Sequence, residues 1–311
     1  MFSFAKDAAL LGTVEARRTL RSARVVVLLV LFVMFSGLVA ALTSLAVQGV
    51  SRAVDEQIAQ ARPDASASER AELKAQFEQQ AREGRSEFLK LWFSDDAALL
   101  EAVKEVPVAL LVLFKLSLVF LPLYVALLGF DSVSTELGSR SVRYLAIRTP
   151  RAAILVGKFL GLSVVLLALV SGTQGLAVAW AALSDKDFHA ASAFVSWARF
   201  SVSSFTYALA WLALTTLCSS LFRVSMVGLV VNGMAMFGLW LADAVGSGIS
   251  RAEPGGALGL LAPLRYLSPT HYAGDLLHPA LSRFGLSALA CAAFAAAFLS
   301  LGAASLRTRD I

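Results

Sequence analysis

Charge is scarce in this chain: 16% of its 311 residues are Asp, Glu, Lys or Arg, against about 25% in a soluble globular domain. That shortfall, with 58% hydrophobic residues and a mean hydropathy of +0.71, argues against a purely cytosolic enzyme. Cysteine is equally sparse. Cys218 and Cys291 both lie in apolar stretches, which gives neither a disulfide framework nor a thiolate metal site and leaves the redox compartment unread. The three histidines, His189, His271 and His278, show no H-E-x-x-H or other metal spacing, and no G-x-S-x-G elbow is present. A phosphate-binding Walker A loop is also missing. The single Gly-Lys pair, Gly157-Lys158, has Ala152 where the first glycine belongs and Phe159 where the Mg²⁺-binding hydroxyl belongs, so ATP hydrolysis by this chain is excluded. The net charge of +5 and pI near 9.4 do not indicate nucleic acid, because the cations flank apolar runs and form no separate basic domain.

What the sequence has in quantity is long apolar stretches. A bilayer core roughly 30 Å thick needs about 20 residues of helix, and six stretches qualify: Val25 to Val47, Pro107 to Phe130, about Ala153 to Leu183, Phe200 to Phe222, Val224 to Gly246, and Phe284 to Ser305. The expected fold is all-α and polytopic, with six transmembrane helices. The third stretch is long enough to tilt or project, and the fourth and fifth meet at Arg223, which implies a tight turn. An even number of spans puts both termini on one side. Arg17, Arg18, Arg21 and Arg24 precede the first span while Arg52 and Arg62 follow it, which places the termini in the cytoplasm. The first apolar run exceeds the usual h-region of about 7 to 15 residues, so it reads as an uncleaved anchor.

Residues 1–24 combine Leu10, Leu11 and Val14 with Lys6, Arg17, Arg18 and Arg21, a composition suited to an interfacial helix on the cytoplasmic leaflet; a plain positive tail is the other reading. Residues 48–106 form an extracytoplasmic insertion with 8 Lys/Arg and 12 Asp/Glu, a net of −4. Ser66 with Glu69 has capping-box spacing, Gly84 can stop a helix, and Ser94-Asp95-Asp96 offers a second start. A helical hairpin packed on the spans and a solvated acidic loop are both open. Before the last span, Gly255 to His278 carries apolar runs too short to cross and broken by Pro263 and Pro269; short re-entrant helices or a loop with buried leucines would account for it.

The substantial loop on the terminal side runs from Asp131 to Arg151 and leads to Lys158. Asp131 and Glu136 come first, then Arg140, Arg143, Arg148 and Arg151, with Pro150 ending any helix. Carboxylates early and cations late complement the dipole of one short surface helix, although simple anchoring of a cytoplasmic turn would also place cations here. Within the spans stand Lys115, Gln174, Asn232 and Asp243, candidates for a pathway because charge in hydrocarbon costs about 2.5 to 3.5 kcal/mol on insertion scales. Lys115 and Asp243 both belong toward the outer half, where they could pair or each reach the interface. Gly157 and Gly161 make a G-x-x-x-G that permits close helix contact, with packing inside one subunit its expected use. His271 and His278, seven apart, could share a helix face; the simpler expectation is that they are interfacial polar residues.

Glu136, Gly138-Ser139, Leu145, Pro150-Arg151 and Gly157-Lys158 together resemble the permease pattern of ATP-binding-cassette exporters of the ABC type 2 class, which runs approximately E, G-T, L-x-x-L, P-x-x-R, G-K. Ser139 for Thr, and Arg151 directly after the proline, are departures. The resemblance extends over essentially the whole chain. It implies a 1–24 interfacial helix and a 25–311 six-span permease domain without a catalytic residue of its own. It further implies a loop over 131–151 acting as the coupling helix in a groove of a separate ABC ATPase subunit that binds ATP and Mg, with Glu136 meeting a cation of that subunit or of the N-terminal helix. A second permease copy, by default an identical one, and membrane lipid are the other partners it implies, in a bacterial inner membrane. No cofactor, metal or nucleic acid is expected on this chain. The size of 48–106 keeps one alternative: a scaffold of the same ancestry that passes ATP-driven motion to an extracytoplasmic partner without moving a solute. An intramembrane enzyme or ion-coupled carrier lacks its signs, catalytic pairs and broken inverted repeats.

Overall fold

The structure is a computed structural model, and it describes residues 2–61, 79, 84, 86, 87, 89, 90, 96–104, 106, 108–139, 147, 149–184, 190–252 and 257–308. Among them the regular structure is helical. In chain order the helices are α1 (Phe2–Leu20), α2 (Ala23–Ala61), α3 (Ala97–Val103), α4 (Val108–Gly129), α5 (Ser134–Gly138), α6 (Arg151–Ser184), α7 (Ala190–Leu221), α8 (Ser225–Ala252), α9 (Pro269–Tyr272) and α10 (Leu281–Thr308), with 3₁₀ segments at Ala257–Leu267 and Asp275–Leu277. Six of them, α2, α4, α6, α7, α8 and α10, are long and apolar enough to cross a membrane, as expected from the sequence. Pro122 sits inside α4 without ending it, as membrane helices tolerate when neighbours satisfy the freed carbonyl.

Boundaries moved where hydropathy and helix propensity part company. α2 continues to Ala61, well past the apolar run, because SRAVDEQIAQA is polar but rich in good helix formers. The insertion therefore begins as a continuation of the first span. Gly84 is helical and not a stop. α3 starts at Asp96, whose carboxylate accepts the N–H groups of Ala98 and Leu99; Ser66, Glu69 and Ser94 lie outside the described residues. His271 and His278 share no helix face: one is in α9, the other follows the next 3₁₀ turn.

Burial separates centre from periphery. The most apolar windows of α6 and α7 are each 72% buried, those of α8 and α10 only 17%, so α6 and α7 form the middle of the bundle. The main core gathers Leu121, Val125, Leu162, Val165, Leu166, Trp211 and Leu212. A second cluster joins Leu99 and Val103 of α3 to Leu110, Phe114 and Phe200, fixing α3 to the end of the bundle opposite the termini. At the terminal end, Val133, Leu137, Leu155 and Leu306 pack together. The turn from α7 to α8 is tight, Phe222 to Val224, with Arg223 in it as expected.

α1 lies against α6 along a seam without side-chain bulk. A Cβ placed on Gly161 would stand 2.6 Å from the Gly12 carbonyl oxygen and 2.8 Å from Glu15 Cβ; one on Gly157 would stand 2.7 Å from Leu11 Cβ and 2.9 Å from the Ala8 oxygen. Only glycine allows backbones so close. The G-x-x-x-G thus serves packing within one subunit.

Candidate functional site

The close seam brings α1 side chains onto the first turns of α6. Lys158 is buried, with a side chain 5% exposed, and its ammonium lies 3.0 Å from Glu15 Oε2 and 2.7 Å from Glu136 Oε1. Arg18 reaches the same Glu136 oxygen at 3.4 Å from the wetter side. Two carboxylates around one buried ammonium offset its desolvation, which a single surface pair would not. Three elements distant in sequence, α1, α5 and α6, are joined by this cluster.

α5 itself is only five residues long, too short to hold by its own hydrogen bonds. Its N-cap residue is Val133, which has no side-chain acceptor. Ser219 of α7 takes that role from outside: its Oγ accepts the N–H groups of Val133 and Ser134 at 3.0 and 3.1 Å. Ser134 Oγ in turn donates to Ser225 Oγ at the start of α8, 2.8 Å away. At the other end a Cβ on Gly138 would stand 3.0 Å from the Arg223 carbonyl. α5 is therefore clasped on one side by the α7–α8 turn and on the other by α1 and α6. Asp131, one turn earlier, lines a cavity of about 130 Å³ together with Glu15, Arg18 and Thr135.

Of the loop residues read from the sequence, Glu136 and Lys158 pair directly here, and Asp131 lines the adjoining cavity with Glu15 and Arg18. Arg151 does not join them; its Nη1 donates to the Leu306 carbonyl at 2.8 Å and lies 3.4 Å from that of Arg307, capping the end of α10 as cations do. Arg140, Arg143 and Arg148 lie outside the described residues. Glu15 was not anticipated. Its signal was available, since it is the single carboxylate between Ala8 and Arg24, in a segment otherwise read for its cations.

The polar residues inside the spans divide into two groups. Gln174 donates to Ser204 Oγ and Asn232 to Thr215 Oγ1, both at 3.1 Å and both deeply buried. They tie α6 and α8 to α7 and line neither of the two large cavities. Lys115 and Asp243 do line one, a polar cavity of about 580 Å³ at the end opposite the termini. There Asp243 faces His271 Nδ1 at 3.5 Å and accepts from Ser247. Asp96 faces Arg283 Nη1 at 2.5 Å and His278 Nε2 at 3.2 Å. Desolvation opposes ionisation of Asp96, but the N–H groups of Leu99 and Ala98, with Arg283, outweigh it and hold the carboxyl below its usual value. His189 lies outside the described residues.

Six membrane-length helices, four of them around a buried pair, with paired charge held at both ends, define a polytopic α-helical membrane protein. The family described as ABC-2 family transporter protein has a model that matches residues 11–309, and the chain belongs to that family. It is accordingly a membrane permease component of the ABC transporter class. A search of curated proteins finds no match.

Proposed function

We propose that this chain is the permease subunit of an ATP-driven exporter and that the segment beginning at Asp131 couples it to a separate ATPase subunit, which binds ATP and Mg. The observation that carries this reading is the clasped α5. A five-residue helix between two spans is fixed to α1 and α6 by Glu136, Lys158, Glu15 and Arg18 and to the end of α7 by Ser219. A push on this segment would therefore pass into several spans at once. Arg140, Arg143 and Arg148 follow directly and supply cations for acidic groups of the ATPase or for lipid phosphate.

On this reading the terminal end faces the cytoplasm, consistent with the four arginines ahead of the first span, and the membrane is a bacterial inner membrane. α1 lies along the cytoplasmic leaflet, the short helices before α10 dip in from the opposite side, and residues 48–106 are extracytoplasmic. A second, identical permease completes the pathway, for which the thinly buried α10 leaves room.

Mild-detergent capture of the tagged chain from its native membrane, followed by protein identification and an ATPase assay, tests the reading. The expected result is co-recovery of a Walker-A-bearing ATPase, lost or coupled about tenfold less well in Glu136→Ala and Arg143→Glu, which still insert. Recovery of the intact chain without an ATPase, under conditions that keep other membrane complexes together, would replace it with an autonomous carrier or scaffold.

A further inference from the structure

Beside the polar cavity at the end opposite the termini lies a second one of about 680 Å³, between α4, α7 and α8. The two share Lys115, Thr270 and Gly274. They differ in character. The second is walled by Pro122, Leu123, Trp211, Met236, Phe237 and Trp240, and several of these, Leu123 at 58% exposed and Phe237 at 60%, also face outward from the bundle. It is a groove open sideways to the surrounding medium, which for these helices is lipid. Phe237 and Trp240 stack at 6.0 Å along its rim.

The polar cavity carries an excess of positive charge. Five Lys or Arg and three Asp line it, and two of the acids are already engaged, Asp96 by Arg283 and His278 and Asp243 by His271. Arg265 is held in place by Ser250, which accepts from Nη1 at 2.9 Å, by the Tyr266 hydroxyl at 2.7 Å, and by the Tyr266 ring beneath it. Lys115 stands where the two cavities meet.

We propose that the joined cavities bind an anionic phospholipid-like amphiphile drawn from the surrounding bilayer, with its acidic headgroup among Lys115, Arg251 and Arg265 and an acyl chain along Trp211, Phe237 and Trp240. This makes such an amphiphile the cargo class of the pathway, and in that respect it rests on the permease reading. Charge complementarity selects the headgroup, and the sideways opening and apolar wall select the chain. A pocket of 300 to about 1,000 Å³ with few convergent polar groups is the usual form of a small-molecule site.

The test is photolabelling of the full chain in phosphatidylcholine nanodiscs, with a phosphatidic acid probe and a phosphatidylcholine probe that carry the same diazirine acyl chain. Each Lys or Arg near an anionic lipid is worth about fivefold, so with three cations at the headgroup the acidic probe should label peptides from α4 and α8 more than about fivefold over the neutral one. Lys115→Leu should cut the preference about fivefold and Lys115→Arg should keep it. Gly233 lines the groove with open space at its Cβ position, so Gly233→Phe should fill the groove and remove labelling by both probes even if Lys115→Leu fails to insert. Equal labelling by the two probes would overturn the site, as would a preference unchanged by Lys115→Leu or labelling that survives Gly233→Phe. Efficient crosslinking of Phe237→Cys to a second copy, with no groove labelling, would assign the surface to the dimer. Labelling needs no ATPase, so its failure leaves the permease reading untouched. If labelling succeeds but a short-chain phosphatidic acid does not raise the ATPase rate of the recovered complex, the amphiphile is not the cargo.

Discussion

Lys158 shows how one residue can be read from sequence for its charge and still have its setting missed. The G-K pair was visible; that its ammonium would be buried between Glu15 and Glu136 was not, because Glu15 arrives through a helix-helix seam and not through sequence spacing. Its two acids are redundant in part, since each alone can balance the ammonium. Glu15→Gln or Glu136→Gln alone should therefore cost little in thermal stability of the detergent-solubilised chain, whereas the double variant strands a buried cation and should cost about 3 to 5 kcal/mol. If the two single losses merely add to the double one, the shared-ammonium account is wrong. Asp96 works differently, as helix cap and ion-pair partner together. Asp96→Asn retains a competent cap but loses the charge, so it should lower the melting temperature less than Asp96→Ala. Because its carboxyl is held below 3.8, the contribution of Asp96 is complete above that pH and lost as pH falls through the lowered value. A melting profile that lost this contribution between pH 7 and pH 5 would contradict the assignment.

Among the elements, the spans were legible and the clasps were not. Apolar runs of membrane length are set by the bilayer alone, so α4, α6 and α10 could be placed to within about three residues at each end, whereas α7 begins at Ala190, ten residues before its apolar run, and α8 continues to Ala252, six residues past its own. α2 overran because a helix does not end where hydropathy ends. Ser219, which caps α5 from 85 residues away, leaves no local trace, and neither does Arg151 on α10. The seam between α1 and α6 was half legible: Gly157 and Gly161 could be seen, their partner Gly12 could not. It makes a sharp prediction. Gly161→Ala puts a methyl within 2.6 Å of a backbone oxygen and should destabilise by about 1 to 3 kcal/mol, while Gly172→Ala on the same helix meets nothing within 4 Å and should be neutral or slightly stabilising. Limited proteolysis within α1 reports which occurs; equal protection in both variants would remove the seam from the account.

For the whole molecule, the polar cavity gathers residues from α3, α4, α8, α10 and the short helices between the last two, a convergence that one-dimensional periodicity does not encode. Lys115 and Asp243 were recognised as out of place in apolar spans, and both line it; Arg251 and Arg265 drew no notice because each sits near a helix end, where cations are ordinary. α6 has a further consequence. At about 1.5 Å per residue its 34 residues form a rod about 51 Å long. With α1 laid along its first turns and α5 fastened to them, the rod would be gripped at one end, as by a handle. A tilt of about 5° at the handle would displace the far tip by about 4 Å on a 51 Å arm, on the scale of a side chain and achieved without breaking a hydrogen bond in the rod.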